Sequence, residues 1–220
     1  MNSIIQLKIQ KKTFKKNNFS ILNNFELEVK PGERVAILGE SGVGKTSLLN
    51  IIGLVDTQFE GRYELFGASV KDLPQNKLAE WRNQKIGFVL QESALIHSMT
   101  IEDNIKLPLL YAKMEKDETV QERFKQIVNQ IGIASILKKK PLECSGGQRA
   151  RAVFARAVIM KPQIILADEP TASLDTANKE KIINLLFDMN KEFNTTIITA
   201  THDLDFANRH DRIITLERNE

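Results

Sequence analysis

The segment from residue 39 to residue 46 has the residue types and spacing of a phosphate-binding loop. It reads Gly39-Glu40-Ser41-Gly42-Val43-Gly44-Lys45-Thr46, with an apolar run before it and a helix-like run from Ser47 after it. Glycines let backbone N–H groups approach phosphate oxygens closely, and the helix presents the positive end of its dipole. We predict that these residues bind a nucleoside triphosphate, with Lys45 reaching its β- and γ-phosphates and the Thr46 hydroxyl holding Mg²⁺.

A pair of carboxylates follows another apolar run. Asp168 and Glu169 come directly after residues 164–167 and before Pro170. A carboxylate at a strand end can reach a metal ion through water, and its neighbour can accept a proton from an attacking water molecule. An Asp-Glu pair alone is common in polar loops, but with a phosphate loop upstream it indicates hydrolysis of the bound nucleotide.

A second glycine motif, Cys144-Ser145-Gly146-Gly147-Gln148, precedes the carboxylate pair. Serine is a favoured residue at a helix N-terminus, so Ser145 and the amides of Gly146 and Gly147 predict a compact anion site suited to a γ-phosphate. Cysteine behaves as a small hydrophobe, and we expect Cys144 to pack in the interior, with a reactive thiol as the alternative.

Short apolar runs predict the strands that position these residues. They are too brief for helices and are bounded by turn residues, and they cover residues 35–38, 86–90, 164–167, 196–200 and 213–216. Helical segments alternate with them, which predicts a mostly parallel sheet covered on both faces. Residues 5–9 and 25–29 instead alternate with period two, and with the segment 61–67 they predict a flanking antiparallel sheet.

Residues 92–161 predict a helical lobe inserted into this core. Thr100 begins one helix in a capping-box-like sequence, and Pro108 is expected to interrupt it. A longer helix is expected over about residues 116–131, and a third begins at Ser145.

Composition excludes several classes of protein. The 220 residues are 42% hydrophobic and 27% charged, which is ordinary for a globular chain, and the net charge of +3 is too small to argue for a nucleic-acid partner. One cysteine excludes an internal disulfide and fits a reducing compartment. No run approaches the ~18–20 apolar residues needed to cross a bilayer, and no signal peptide is recognised, so we expect a cytoplasmic protein.

The Ser-Gly-Gly-Gln sequence at 145–148, ahead of a strand that ends in Asp-Glu, resembles the ATP-binding cassette family. The resemblance implies an α/β fold: a P-loop NTPase core with helices on both faces of a mostly parallel sheet, a flanking antiparallel β-subdomain and an inserted α-helical subdomain. It implies one nucleotide-binding domain over 1–220, with 1–91 and 162–220 as the core and 92–161 as the helical subdomain.

The resemblance also implies roles for single residues. Glu169 matches the catalytic carboxylate and Asp168 the residue that organises Mg²⁺. Gln91 matches a glutamine that contacts Mg²⁺ or the lytic water, and His202 matches a switch histidine that contacts the γ-phosphate. The segment 173–175 matches a loop that communicates between subunits. As part of this loop, Asp175 is implied to belong to the nucleotide-binding residues.

Two further implications concern ATP itself. Cassettes stack adenine on an aromatic residue upstream of the phosphate loop, and Phe14 is the best placed candidate, with Phe19 second; either could instead pack in the flanking sheet. Cassettes also act as dimers, so Ser145 and Gly147 of one subunit are implied to close on the ATP held by the other.

Residues 54–56, 81–91 and 101–110 resemble the ATPase subunits of macrolide and antimicrobial-peptide exporters and of lipoprotein-releasing systems. This implies a homodimer, attached to the inner face of the cell membrane by a separately encoded permease that docks near Gln91 and residues 92–110. An alternative is a regulatory cassette of the cell-division type, which signals to a membrane partner without moving cargo. A cassette acting on ribosomes or DNA is disfavoured, because the chain has neither a second cassette nor long coiled coils.

Overall fold

A computed structural model describes residues 3–13, 20–90, 95–172 and 174–217. Phe14, Phe19, Gln91 and Ser173 lie outside the described residues. The strands are β1 Ile5–Thr13, β2 Ser20–Val29, β3 Arg34–Leu38, β4 Glu60–Leu65, β5 Ala68–Ser69, β6 Ile86–Leu90, β7 Ile164–Asp168, β8 Thr196–Thr201 and β9 Arg212–Thr215. The α-helices are α1 Lys45–Ile52, α2 Gln75–Gln84, α3 Ile101–Ala112, α4 Glu118–Ile131, α5 Gly146–Val158, α6 Thr176–Phe193 and α7 Leu204–Ala207.

Five strands form a parallel sheet in the order β6-β7-β8-β3-β9. All five apolar runs predicted as strands lie in this sheet, each within one or two residues of the expected bounds. The register places Leu38 beside Thr201 and Asp168 beside Ala200. Because parallel strands end at the same edge, the phosphate loop, Asp168 and Thr201 lie at one edge of the sheet.

The period-two segments form the predicted antiparallel sheet, in the order β2-β1-β4-β5. This sheet and helix α1 share a hydrophobic core with one face of the parallel sheet, to which Ile164 and Leu166 belong. The alternate residues Ile165 and Ala167 pack on the other face, with helices α5 and α6. The sheet therefore separates the phosphate-loop helix from the helix that carries the second glycine motif.

The predicted interruption at Pro108 is wrong, because helix α3 continues through this residue to Ala112. Proline lacks an N–H group and costs about 3 kcal/mol inside a helix. The buried side chains Ile101, Ile105 and Leu109 of α3 supply the packing that offsets this cost. The carbonyl of Pro108 also accepts a hydrogen bond of 3.0 Å from Asn83 of α2.

The other two helices of this lobe follow the prediction. Helix α4 ends at Gly132, whose φ of 69° is the left-handed value that glycine adopts readily. Helix α5 begins after Ser145, which caps it. Among the helices that the structure describes, none combines the length and the apolar character that a bilayer crossing requires.

Candidate active site

The phosphate loop joins β3 to α1 in a conformation that needs its glycines. Gly42 and Gly44 have φ values of 86° and 108°, which side chains with a Cβ adopt only under strain. Gly44 is the N-cap of α1, and no side chain caps that helix. Its first amides are therefore available to an anion at the positive end of the helix dipole. Of the predicted residues, Gly39 to Gly44 form the turn between β3 and α1, and Lys45 to Ser47 form the first turn of α1.

Lys45 is buried at the centre of this loop. Its ammonium group donates to the carbonyl oxygens of Gly39 at 2.6 Å and Glu40 at 3.0 Å. The same nitrogen lies 3.5 Å from Oε1 of Glu169. The fold thus brings together the lysine of the loop and the predicted catalytic carboxylate, which are far apart in sequence.

Thr46 and Asp168 meet directly beside them. The Thr46 hydroxyl donates to Oδ2 of Asp168 at 2.7 Å. Burial raises the pKa of Asp168, the hydrogen bond from Thr46 opposes that rise, and the charge of Glu169 adds to it. Burial disfavours the charged form of this carboxylate, and a nearby cation would favour it. The Asp168 carboxylate and the Thr46 hydroxyl are oxygen ligands of the kind that Mg²⁺ prefers.

The residues present fit such a cation only as part of a larger ligand set. No group of three or more His, Cys, Asp or Glu side chains among the described residues could hold a metal ion by itself. Mg²⁺ is usually bound by one or two protein groups together with substrate phosphates and water. Thr46 and Asp168 match that arrangement.

Glu169 is held in an uncommon backbone conformation, with a φ of 44°. Its N–H donates to the carbonyl of Ala200, which fixes it against β8. The side chain contacts Nδ1 of His202 at 2.8 Å through Oε1 and the Thr201 hydroxyl at 3.3 Å through Oε2. Sequence reasoning assigned no role to Thr201, although it stands directly before His202.

The second glycine motif begins helix α5 as predicted. Ser145 Oγ accepts from the Gln148 N–H at 3.3 Å, and the Gln148 side chain accepts from the Ser145 N–H at 2.8 Å. Cys144 is buried, its thiol lies 3.5 Å from the Lys140 carbonyl oxygen, and burial raises the pKa of the thiol. These features favour the packing interpretation of Cys144 over the reactive thiol.

Asp175 lies at the start of α6, where it caps the helix. Its carboxylate accepts from the Asn178 N–H at 3.0 Å and from the Asn178 side-chain amide at 2.6 Å. Asn178 in turn accepts a hydrogen bond of 2.8 Å from Arg151 of α5. The start of α6 is thereby joined to the second glycine motif, while the implied service of Asp175 to a nucleotide stays a prediction.

The fold and these contacts define a phosphate-loop nucleotide hydrolase with an added helical lobe. Residues 22–172 match the family model described as ABC transporter, and the chain belongs to that family as a cassette ATPase. It is 37% identical over 219 residues to the lipoprotein-releasing system ATP-binding protein LolD of Syntrophus aciditrophicus, covering 99% of this chain and 98% of LolD.

Two further similarities extend this result. The chain is 38% identical over 200 residues to the bacitracin export ATP-binding protein BceA of Halalkalibacterium halodurans, covering 91% of this chain and 79% of BceA. The solved dimeric, post-hydrolysis structure of the cassette MJ0796 with ADP and Pi superposes with a TM-score of 0.88 at 37% identity, covering 97% and 94% of the two chains. Both the resemblance to the ATP-binding cassette family and the predicted fold class are confirmed.

Proposed function

We propose that this chain hydrolyses MgATP as a homodimer and thereby drives a separate membrane permease of the exporter type. The observation that carries the proposal is the meeting of Lys45, Glu169 and His202 beside the phosphate loop. These side chains come from three separate segments of the chain. Their convergence at one sheet edge supplies a positive charge for phosphate, a proton acceptor for water and a third polar group beside the acceptor.

The chemistry follows from these positions. Water attacks the γ-phosphorus, its proton passes to the Glu169 carboxylate, and the bond between the γ-phosphorus and the bridging oxygen breaks to leave ADP. Lys45 leaves its carbonyl partners to bind the β- and γ-phosphate oxygens, and His202 contacts the γ-phosphate. Thr46 and Asp168 would hold Mg²⁺, which supplies charge neutralisation on the phosphate oxygens when it is bound.

Gln91 and Phe14 complete the proposed site. The residue before Gln91, Leu90, lies beside Asp168 in the sheet register. That register supports the assignment of Gln91 to Mg²⁺ or the lytic water. Phe14 follows the last residue of β1, Thr13, and is proposed to stack on adenine, with Phe19 as the alternative.

The homodimer explains the second glycine motif. Helix α5 packs on the face of the sheet opposite α1, so Ser145 and Gly147 are proposed to close on the nucleotide of a second copy, with Asp175 beside them. The dimeric MJ0796 structure with ADP and Pi supports this arrangement.

A permease is proposed to dock near Gln91 and residues 92–110. Tyr111 and Leu110 at the end of α3 are 74% and 56% exposed, and Val55 is 59% exposed. Helix α2 links these residues, because Arg82 donates to the carbonyl of Leu54 and Asn83 to that of Pro108. BceA is named for bacitracin export and LolD for lipoprotein release, which supports an exporter-type partner.

Substitution of Glu169 tests the hydrolytic proposal. Glu169→Gln keeps the size of the side chain but removes the proton acceptor, so turnover should fall by about a hundredfold or more. ATP should still bind, and ATP should convert the variant into a stable dimer in size-exclusion chromatography. Glu180→Gln, an exposed position on α6, is the matched control and should keep wild-type turnover. Full ATPase activity in Glu169→Gln would remove Glu169 as the proton acceptor.

A further inference from the structure

The ion pair between Lys179 and Asp203 joins helix α6 to the segment that carries His202. Lys179 lies in the first turns of α6, and its ammonium group donates to Oδ2 of Asp203. The two side chains are 28% and 26% exposed, so the pair is largely shielded from solvent. Asp203 directly follows His202, and this contact therefore acts on the backbone next to the histidine.

Asp203 organises the whole segment around His202. Its N–H donates to Oγ1 of Thr201 at 3.0 Å, and its Oδ1 accepts from the Phe206 N–H at 3.0 Å, which caps α7. The hydrogen bond from Lys179 is the largest cause that lowers the pKa of Asp203, so its carboxylate stays ionised. Thr201 also donates to Glu169, so Asp203 is next to His202 in the chain and is joined to Glu169 through the Thr201 hydroxyl.

His202 has little else to fix its position. Its side chain is 65% exposed, and its hydrogen bond to Glu169 is the one side-chain hydrogen bond that it makes to the described residues. An exposed imidazole gains no orientation from packing. The direction in which it points depends on the backbone from Thr201 to Asp203.

Lys179 itself is anchored independently of Asp203. Its N–H donates to the carbonyl of Asp175 at 2.8 Å, and the neighbouring Asn178 is held by both Asp175 and Arg151. The base of the lysine side chain therefore belongs to a fixed helical turn. A fixed donor that contacts Asp203 can set the position of the backbone next to His202.

We propose that Lys179 is a positioning residue for His202, acting through Asp203. The proposal rests on the function proposed above, in which His202 contacts the γ-phosphate and Glu169 accepts the proton. In the proposed mechanism Lys179 contacts neither the nucleotide nor the attacking water, because its ammonium group pairs with Asp203. Its loss should therefore slow hydrolysis without weakening nucleotide binding.

Steady-state ATP hydrolysis by the full chain tests the proposal, with Lys179→Met, Lys179→Arg and Arg209→Met compared with wild type. Lys179→Met keeps the length of the side chain without its charge, and kcat should fall about fivefold while KM changes less than about twofold. Lys179→Arg restores the cation and should recover at least about half of wild-type kcat. Arg209→Met removes the neighbouring pair with Glu180 of α6, which does not reach Asp203, and should keep kcat within about twofold.

A double-mutant cycle shows whether Lys179 works through Asp203. If it does, Lys179→Met combined with Asp203→Asn should be no slower than Asp203→Asn alone. Additive losses, or a kcat in Lys179→Met equal to that of Arg209→Met, would overturn the proposal. The kcat of each variant is compared with that of the wild type, whose activity should depend on Glu169. A wild type without ATPase activity would instead refute the proposed function. Should Lys179→Met unfold, kcat of Lys179→Gln relative to Lys179→Arg decides the same question.

Discussion

Gly147 lies so close to Asn178 that no side chain fits between them. A Cβ on Gly147 would approach the Asn178 side chain to between 2.6 and 2.8 Å. Asn178 cannot easily give way, because Asp175 and Arg151 both hold its amide. The second glycine motif is therefore packed directly on the start of α6.

We expect Gly147→Ala to destabilise the protein. Overpacking costs about 1–3 kcal/mol, which over most of that range exceeds the gain of about 1 kcal/mol that alanine brings to a helix. Gly146→Ala is the matched control, since a Cβ there meets nothing within 4 Å. In urea unfolding, Gly146→Ala should be as stable as wild type or more stable, and Gly147→Ala should be less stable. Equal stabilities for the two variants would show that Asn178 yields to the added methyl group.

Local sequence patterns were sufficient for the strands and for most of the helical lobe. Apolar runs bounded by turn residues predicted all five parallel strands, and the serine at residue 145 predicted the cap of α5. Pro108 was misread because the burial of the α3 side chains around it is a tertiary effect. Helix α2 was not predicted, since among its residues only Leu78 and Trp81 are buried and its apolar periodicity is weak.

The site residues that could be predicted are those that belong to short sequence motifs. Lys45, Asp168 and Glu169 were found by spacing, and the structure brings all three together. Lys179 and Asn178 were not found, because a contact between distant segments leaves no periodic signal in the chain. Thr201 could have been found, since it directly precedes His202 at the end of β8, beside the end of β7 where Asp168 and Glu169 lie.

The exposed end of α3 predicts a membrane-partner surface that can be tested without knowing the partner. Tyr111→Ser should reduce the fraction of the chain that sediments with membranes of its own cells, because the proposed docking of a permease buries the tyrosine ring. The ATPase activity of the isolated chain should stay within about twofold of wild type, since the Tyr111 side chain is exposed and helix α3 packs mainly against α2 and α5.

Phe193→Ser supplies the control for that experiment. Phe193 is an exposed aromatic residue at the end of α6, on another part of the surface. Its replacement should leave sedimentation with membranes unchanged. Equal sedimentation of Tyr111→Ser and wild type would remove the end of α3 from the docking surface.

His210 predicts a loss of stability on mild acidification. The imidazole is buried between Phe187 and Phe206, with Nδ1 at 3.0 Å from the Phe206 carbonyl and Nε2 at 3.0 Å from the Thr199 hydroxyl. Burial lowers the pKa of His210, and the charge of Arg34 lowers it further. The backbone of Phe206 and Ala207 and the charge of Asp211 raise it, but the net shift is downward. The histidine of the unfolded chain has a pKa of about 6.5. Below that pH the unfolded chain therefore binds a proton more readily than the folded chain does.

The sign of this effect follows from proton linkage. Well above a pH of about 6.5 both states hold a neutral His210, so the residue adds no pH dependence. As the pH falls below that value, the free energy of unfolding should drop by up to about 1.4 kcal/mol per pH unit until the folded histidine also protonates. His210→Gln cannot titrate, so urea unfolding of this variant between about pH 5 and pH 7 should show a shallower slope than wild type. Other groups, including Asp168, titrate in both proteins, so their effects cancel in the difference between the two slopes. Parallel slopes would mean that His210 accepts a proton in the folded state as easily as in the unfolded chain.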